Sequence, residues 1–190
     1  MKKITAGVDE VGRGSLVGPV YAAAVVFKNK INKKKIRDSK KLTKEKRNNL
    51  EKYIKKNSIW SIGSATLEEI EKLNILNASL LAMKRCIKKL KIKPTLTFID
   101  GNKLPTISGY KLKSMIKGDQ KISEISAASI IAKVTRDRII TKMSKNFKRY
   151  AWAKNAGYGT KEHIEAIKKF GVTKHHRKNF NPVHNILSPK

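Results

Sequence analysis

The sequence predicts an α/β fold, and three observations carry that expectation. Apolar runs with strand character alternate along the chain with segments of helical period. Two of those runs lead into carboxylates, the adjacent pair Asp9-Glu10 and the single Asp100, in a chain that is otherwise strongly basic. Neither an internal repeat nor a linker long enough to divide the chain is present, so residues 1–190 are expected to form one domain.

Residues 4–11 and 18–27 read as two strands of a hairpin, joined by a tight turn around Gly12-Arg13-Gly14. Tyr21 to Phe27 is apolar at successive positions, as a strand buried on both faces would be. The glycines of the turn tolerate backbone conformations that a Cβ hinders, and they leave amide N–H groups bare for a phosphate or a sugar. A lysine-rich loop, Lys28 to Lys35, follows, and a helix is expected to begin near Thr43 as its N-cap. Ile59 to Ala65 reads as a third strand, and Leu67 to Leu73 as a short acidic helix. Ile75 to Leu90 is a longer helix, because Leu76, Leu80, Met83, Ile87 and Leu90 recur at helical spacing. Thr95 to Ile99 is a strand that delivers Asp100. Lys103 to Lys117 has no clear period, and Pro105 and Gly109 mark turns there. Ser123 to Met143 is a long helix whose Ser126, Ala127, Ala128, Ser129 and Ala132 keep one side thin for packing on a sheet. One more helix, Lys161 to Phe170, stops at Gly171 and leads into a basic tail.

Hydrophobic residues make up 39% and charged residues 31% of the chain, a globular balance that argues against disorder. No apolar run approaches membrane-spanning length. Met1-Lys2-Lys3 leads straight into a strand, which reads as no secretory signal and a cytoplasmic protein. Cys86 is the single cysteine, so an intrachain disulfide is excluded. Lysine and arginine number 44 against 14 acids, for a formal charge of +30. That excess favours a polyanionic partner, although lysine is used heavily throughout and no single lysine is assigned by it.

Against this background the few placed acids stand out. Asp9 and Asp100 sit at strand ends, and Asp119 follows Lys117-Gly118 just before the long helix. Adjacent strand ends of an α/β sheet bring such residues together. Oxygen-only ligands select hard cations such as Mg²⁺ or Mn²⁺, and two ions about 3.5–4 Å apart can activate water and stabilise a leaving oxygen. Glu10 raises a geometrical problem, because neighbours on a strand point to opposite faces. It is therefore expected where the strand ends, or to act through its main chain. Asp119 could instead serve the charge of a helix N-terminus. Asp137 reads as half of a surface pair with Arg136 or Arg138. The four histidines lie in the last quarter, away from these acids in sequence and without Zn-like spacing to Cys86.

The ordered set Asp9-Glu10-Val11-Gly12-Arg13-Gly14, Gly18-Pro19-Val20, Asp38-Ser39-Lys40-Lys41-Leu42, Asn74-Ile75-Leu76, Asp100-Gly101-Asn102, Lys117-Gly118-Asp119, Ala127 to Asp137 and Gly157-Tyr158-Gly159-Thr160 resembles the type 2 ribonucleases H, ribonuclease HII in particular. The resemblance spans nearly the whole chain. It implies a ribonuclease H-like mixed β-sheet flanked by helices, with a small helical C-terminal extension over about 145–190. It also implies an endonuclease, monomeric, that hydrolyses the RNA strand of RNA–DNA hybrids. Such an enzyme incises 5′ to single ribonucleotides in duplex DNA, leaving 3′-hydroxyl and 5′-phosphate ends. Asp9, Glu10, Asp100 and Asp119 would be the catalytic set and the ligands of two Mg²⁺ or Mn²⁺ ions. Gly12, Arg13 and Gly14 would read the 2′-hydroxyl that separates RNA from DNA. Tyr158 would stack on the sugar at the RNA–DNA junction. Lys40, Lys41 and Arg13 are candidate phosphate ligands, and His176-Arg177 falls in what resembles a basic C-terminal motif.

Three residues depart from the pattern that the resemblance implies. Ala151 replaces a glycine, Asn155 a common histidine, and Asn179 the usual serine. Two other readings remain. Ribonuclease HIII would carry an extra N-terminal domain, whereas this chain opens on the first strand. A basic nucleic-acid-binding module without chemistry would be indifferent to Mg²⁺ and to loss of Asp9.

Overall fold

The computed structural model describes residues 3–28, 31–32, 36 and 43–188. Five strands, β1 (Thr5–Val11), β2 (Val20–Phe27), β3 (Ser58–Ala65), β4 (Leu96–Asp100) and β5 (Leu112–Met115), form one sheet in the order β3-β2-β1-β4-β5. The β1–β2 and β2–β3 pairs are antiparallel, while β1–β4 and β4–β5 are parallel. β1 is thus the seam between the two kinds of pairing, and it carries Asp9, two residues before its end at Val11.

Alternation along β2 builds two cores at once. Ala22 and Ala24 join the cluster under the helix Leu67–Lys89, with Ala82, Cys86 and Ile87. Ala23 and Val25 face the other way, onto Leu50, Ile54, Ala128 and Ile131. These last come from helix α1 (Lys44–Lys56) and from the long helix Ser123–Ser144. Two glycines set the spacing of the layers. A Cβ on Gly7 would collide with the backbone at Glu124 and Ile125, and one on Gly63 with the Ala82 carbonyl. Both helices therefore lie directly on the sheet.

Helix α2 (Leu67–Lys89) is two helices joined at a kink, in line with the sequence expectation of separate segments. Thr66 and Glu69 close a capping box at its start. At Asn74 the backbone turns to φ 64°, and the Asn74 Oδ1 accepts from the Asn77 N–H at 3.1 Å, capping the second half. Thr43 caps α1 as expected, accepting from the Lys46 N–H at 3.3 Å. Past β5 come one helical turn, α3 (Gly118–Lys121), and the long α4 (Ser123–Ser144). The C-terminal part holds a short 3-10 turn, Lys148–Tyr150, then α5 (Trp152–Asn155), α6 (Lys161–Phe170) and α7 (Val183–Leu187). Gly171 ends α6 as the sequence predicts.

The expected tight turn between β1 and β2 is corrected by the structure. The strands do pair as a hairpin, but residues 12–19 make an excursion away from it. Leu16 and Val17 are buried against Ile140, Tyr150, Trp152, Ile167 and Val183 in a third core cluster. The apolar pair Leu16-Val17 is what carries this loop off the sheet and into the C-terminal part.

Ala151 sits at φ 53° and ψ 29°, between the 3-10 turn and α5. The left-handed conformation explains why the resembling pattern has glycine there. It costs a Cβ-bearing residue about 1–2 kcal/mol. Ala151→Gly removes that cost and returns about 0.4–1 kcal/mol of unfolded-chain entropy. A net gain of about 0.5–1 kcal/mol is expected, seen in a thermal melt as a rise of about 1–4 °C; a lower melting temperature would contradict it.

Candidate active site

Val8 of β1 lies beside Ile99 of β4, so the next residues along, Asp9 and Asp100, emerge together where β4 ends. Asp9 follows Gly7 onto the face covered by α4, where Ser129 of α4 favours its charged form. The Glu10 N–H donates to Asp9 Oδ1 at 2.7 Å. Glu10 does not mark the strand end, because β1 pairs on through Val11 with Tyr21. The pleat sends its side chain to the α2 face instead. There it lines a cleft with Ser79, Leu80, Met83, Asp100 and Asn102.

Asp100 is the common neighbour of the two. As the last residue of β4 it bears electrostatically on Asp9 from one side and on Glu10 from the other. Its Oδ1 accepts from the Gly118 N–H at 2.6 Å, which ties it to α3 and so to Asp119, the next residue. Burial pushes the Asp9 carboxyl well above its usual range, and Glu10 and Asp100 add to the rise while Ser129 opposes it. Burial also raises Glu10, with Arg13 at 3.4 Å pulling it back. Among the described residues, no three His, Cys, Asp or Glu side chains already stand close enough together to hold a metal. The donor set itself suits a hard divalent cation. It offers only oxygens, it is buried at Asp9, and its charges repel one another.

The turn and the tyrosine also meet. Gly12 takes φ 92°, and Ser15 forms an antiparallel bridge with Tyr158. The Leu16 N–H donates to the Gly157 carbonyl at 2.9 Å, and the Arg177 N–H to the Leu16 carbonyl at 2.8 Å. Gly14 has open space on its Cα, and Arg13 is about half-exposed. Tyr158 is half-buried, with Lys133 and Arg136 within 5.8 Å of its ring centre.

The chain matches the family Ribonuclease HII over residues 6–183. The chain belongs to the ribonuclease HII family. It is 69% identical over 185 residues to a ribonuclease HII of Pelagibacter ubique (strain HTCC1062), covering 97% of this chain and 100% of that one. It is 46% identical over 189 residues to a ribonuclease HII of Neisseria gonorrhoeae (strain ATCC 700825 / FA 1090), covering 99% and 97%. The fold is similar to that of the ribonuclease H2 from Pyrococcus horikoshii OT3, with TM-score 0.80, 26% identity and 96% of each chain covered. The protein is thus an enzyme, an endoribonuclease of the ribonuclease H class that acts on RNA in hybrids, and its mixed sheet is ribonuclease H-like.

Several residues around this family member's site escape a reading of the sequence. Arg136 is not a surface partner for Asp137 but is fully buried; Asp137 pairs with Lys133 at 3.1 Å, and Arg138 with Glu51 at 3.5 Å. Its burial was detectable in principle, because Ala128, Ala132, Arg136 and Ile140 form one row of buried positions four apart. Arg177 is buried too and holds main-chain carbonyls, Gly18 at 2.9 Å and Arg13 at 2.8 Å. Ser129 looked like a small packing residue. Asn155 is a buried brace, donating to the Tyr150 carbonyl and accepting from the Gly157 N–H, each at 2.8 Å. Lys40 and Lys41 lie outside the described residues.

A histidine relay backs Tyr158. His163 Nδ1 lies 2.9 Å from the Tyr158 carbonyl and must donate to it. His163 Nε2 then accepts from the Trp152 Nε1–H at 2.9 Å and faces His176 Nε2 at 3.2 Å. His176 Nδ1 accepts from the Thr173 N–H at 2.9 Å, so its Nε2 carries the proton. One tautomer of each ring satisfies every contact, and both rings are neutral. Burial lowers His163, and burial with the neighbouring His163 lowers His176 to about 4. A histidine whose folded value is depressed stabilises the fold fully above its unfolded value, and that stability is lost as pH falls through the folded value. From about pH 6.5 down to pH 4 the fold should therefore lose about 2–3 kcal/mol through His176 alone. Urea unfolding at pH 7 and 4.5 checks this: His176→Gln should start less stable and fall less steeply, and equal slopes would refute it.

Proposed function

We propose that this ribonuclease HII family member cleaves RNA–DNA hybrids and also incises 5′ to single ribonucleotides in duplex DNA, leaving 3′-hydroxyl and 5′-phosphate ends. Asp9, Glu10, Asp100 and Asp119 are the proposed ligands of two Mg²⁺ or Mn²⁺ ions. The observation that carries this reading is Asp100, which bears on both Asp9 and Glu10 at the β1–β4 junction although those two point to opposite faces of the sheet.

The chain's own residues prepare that position. The Glu10 N–H orients the Asp9 carboxylate, and the Gly118 N–H orients Asp100. Arg13 holds Glu10 until a phosphate competes for the guanidinium. Burial of Asp9 keeps bulk water off one side of the group. When bound, such an ion pair supplies an activated water and stabilises the leaving oxygen of a phosphodiester. The net charge of +30 draws in the polyanion. The amides of Gly12-Arg13-Gly14 are proposed to contact the 2′-hydroxyl, and Tyr158, bridged to Ser15, to stack on the neighbouring sugar. Lys40 and Lys41 are proposed phosphate ligands. The substrates suit a cytoplasmic role in removing ribonucleotides from newly made DNA.

Asp100→Asn should lower Mg²⁺-dependent incision of a duplex with one ribonucleotide at least about a hundredfold; undiminished cleavage would remove Asp100 from the mechanism. Asp9→Asn makes a second, opposite-signed prediction. A buried carboxyl with a raised value holds its proton better in the fold, so its stabilising effect lies at low pH and is lost as pH rises. Asp9→Asn should abolish incision with Mg²⁺, yet at pH 7.5 in chelator it should melt above the wild type. Added Mg²⁺ should raise the melting temperature of the wild type more than that of the variant. A variant that melts lower in chelator would contradict the charge argument.

A further inference from the structure

Two guanidiniums are buried at the root of the Gly12–Gly18 loop, Arg136 at 0% and Arg177 at 3% exposure. Among the described residues neither hydrogen-bonds a carboxylate, and they lie near enough that Arg136 disfavours the charge of Arg177. Burying two like charges against neutral oxygens is costly, and an apolar filler would stabilise the fold more. Their placement supplies a reason for them.

Arg136 Nη1 donates to the Ala156 carbonyl at 2.9 Å, beside Gly157 and Tyr158. Its Nη2 donates the other way, to Ser15 Oγ at 2.6 Å and to the Val17 carbonyl at 3.1 Å. The Nε, without a hydrogen-bond partner, faces Gly12, where any Cβ would collide with it. Its Cζ stands 5.4 Å from the Tyr158 ring centre. One planar group thus lies between the turn and the tyrosine loop and touches both. Arg177 then closes the loop from its ends, through the carbonyls of Arg13 and Gly18.

We propose that Arg136, braced by Arg177, is a positioning residue that sets the separation between the Gly12-Arg13-Gly14 turn and Tyr158, and through it the recognition of a single ribonucleotide. The inference rests on the proposed reading of those two elements. Its consequence differs between substrates. A continuous RNA strand offers a 2′-hydroxyl at every step, so a displaced turn still meets one. A lone ribonucleotide offers one productive register, in which turn and tyrosine must both be satisfied.

The test compares incision of duplex DNA holding one ribonucleotide with cleavage of an all-RNA strand paired to DNA, both with Mg²⁺. Arg136→Lys keeps the charge and loses the planar fork. Ser15→Ala removes one acceptor of that fork and no charge. Single-ribonucleotide incision relative to hybrid cleavage should fall at least about tenfold in Arg136→Lys and about threefold in Ser15→Ala. Parallel losses on both substrates would mean a merely structural role and overturn the proposal, as would an unchanged ratio. Should Arg136→Lys fail to fold, the ratio in Ser15→Ala decides alone. Wild-type protein that cuts neither substrate overturns the proposed function and this inference with it. Wild-type protein that cuts both, with ratios unmoved in the variants, overturns this inference only.

Discussion

The parallel pairing of β1 with β4 is the constraint on which the rest depends. It places Asp100 beside Asp9, and nothing in the local sequence of either strand could do so, since β2, α1, β3 and α2 all lie between them in the chain. The register is held from both faces. Gly7 admits the backbone of α4 on one side, and Val8 with Ile99 fills the core under α2 on the other. A slip of one residue would send Asp9 to the α2 face and bury Val8 against α4. The apolar alternation that makes the core thus also sets where the acids point.

The excursion between β1 and β2 joins this sheet to the C-terminal part. Leu16 and Val17 are core residues of the C-terminal cluster, yet they follow Asp9 by only seven and eight residues. Main-chain bonds run from the loop to Gly157, His175 and Arg177. Tyr158 is held in turn from behind by His163. The proposed substrate-reading elements therefore share one packed unit, and Asp9 and Glu10 lie on β1, the strand that leads into it.

Much of this was legible in the sequence, for physical reasons that differ by residue. Asp9 and Asp100 stood out because a strand that ends in a carboxylate is unusual in so basic a chain. The break at Asn74 was visible because the apolar period restarts there. Residues 112–115 and the turn Gly118–Lys121 were missed, because elements of four residues are too short to show a period. Arg136 was misread because a charged residue on a helix is normally solvated, and only its row of buried neighbours argues otherwise. The tautomer chain from Thr173 to Tyr158 depends on contacts between residues in separate segments, which no spacing rule encodes. The Glu10 problem was posed correctly by the pleat and resolved differently, with the strand continuing and the Glu10 side chain in the cleft on the α2 face beside Asp100.

The electrostatic layout carries one last implication. Where β1 meets β4 the protein gathers carboxylates that burial and repulsion both disfavour, and beneath the adjoining loop it buries two guanidiniums that, among the described residues, hydrogen-bond no carboxylate. Each arrangement weakens the isolated fold, and the cost of each falls when charge of the opposite sign arrives. Divalent cations would relieve the first, and a phosphate backbone laid along the loop would relieve the second. Preorganised charge of this kind needs no rearrangement at the moment of reaction. The three apolar clusters, with Ala and Gly at the tightest contacts, are what allow the fold to hold such charges in place before substrate binds.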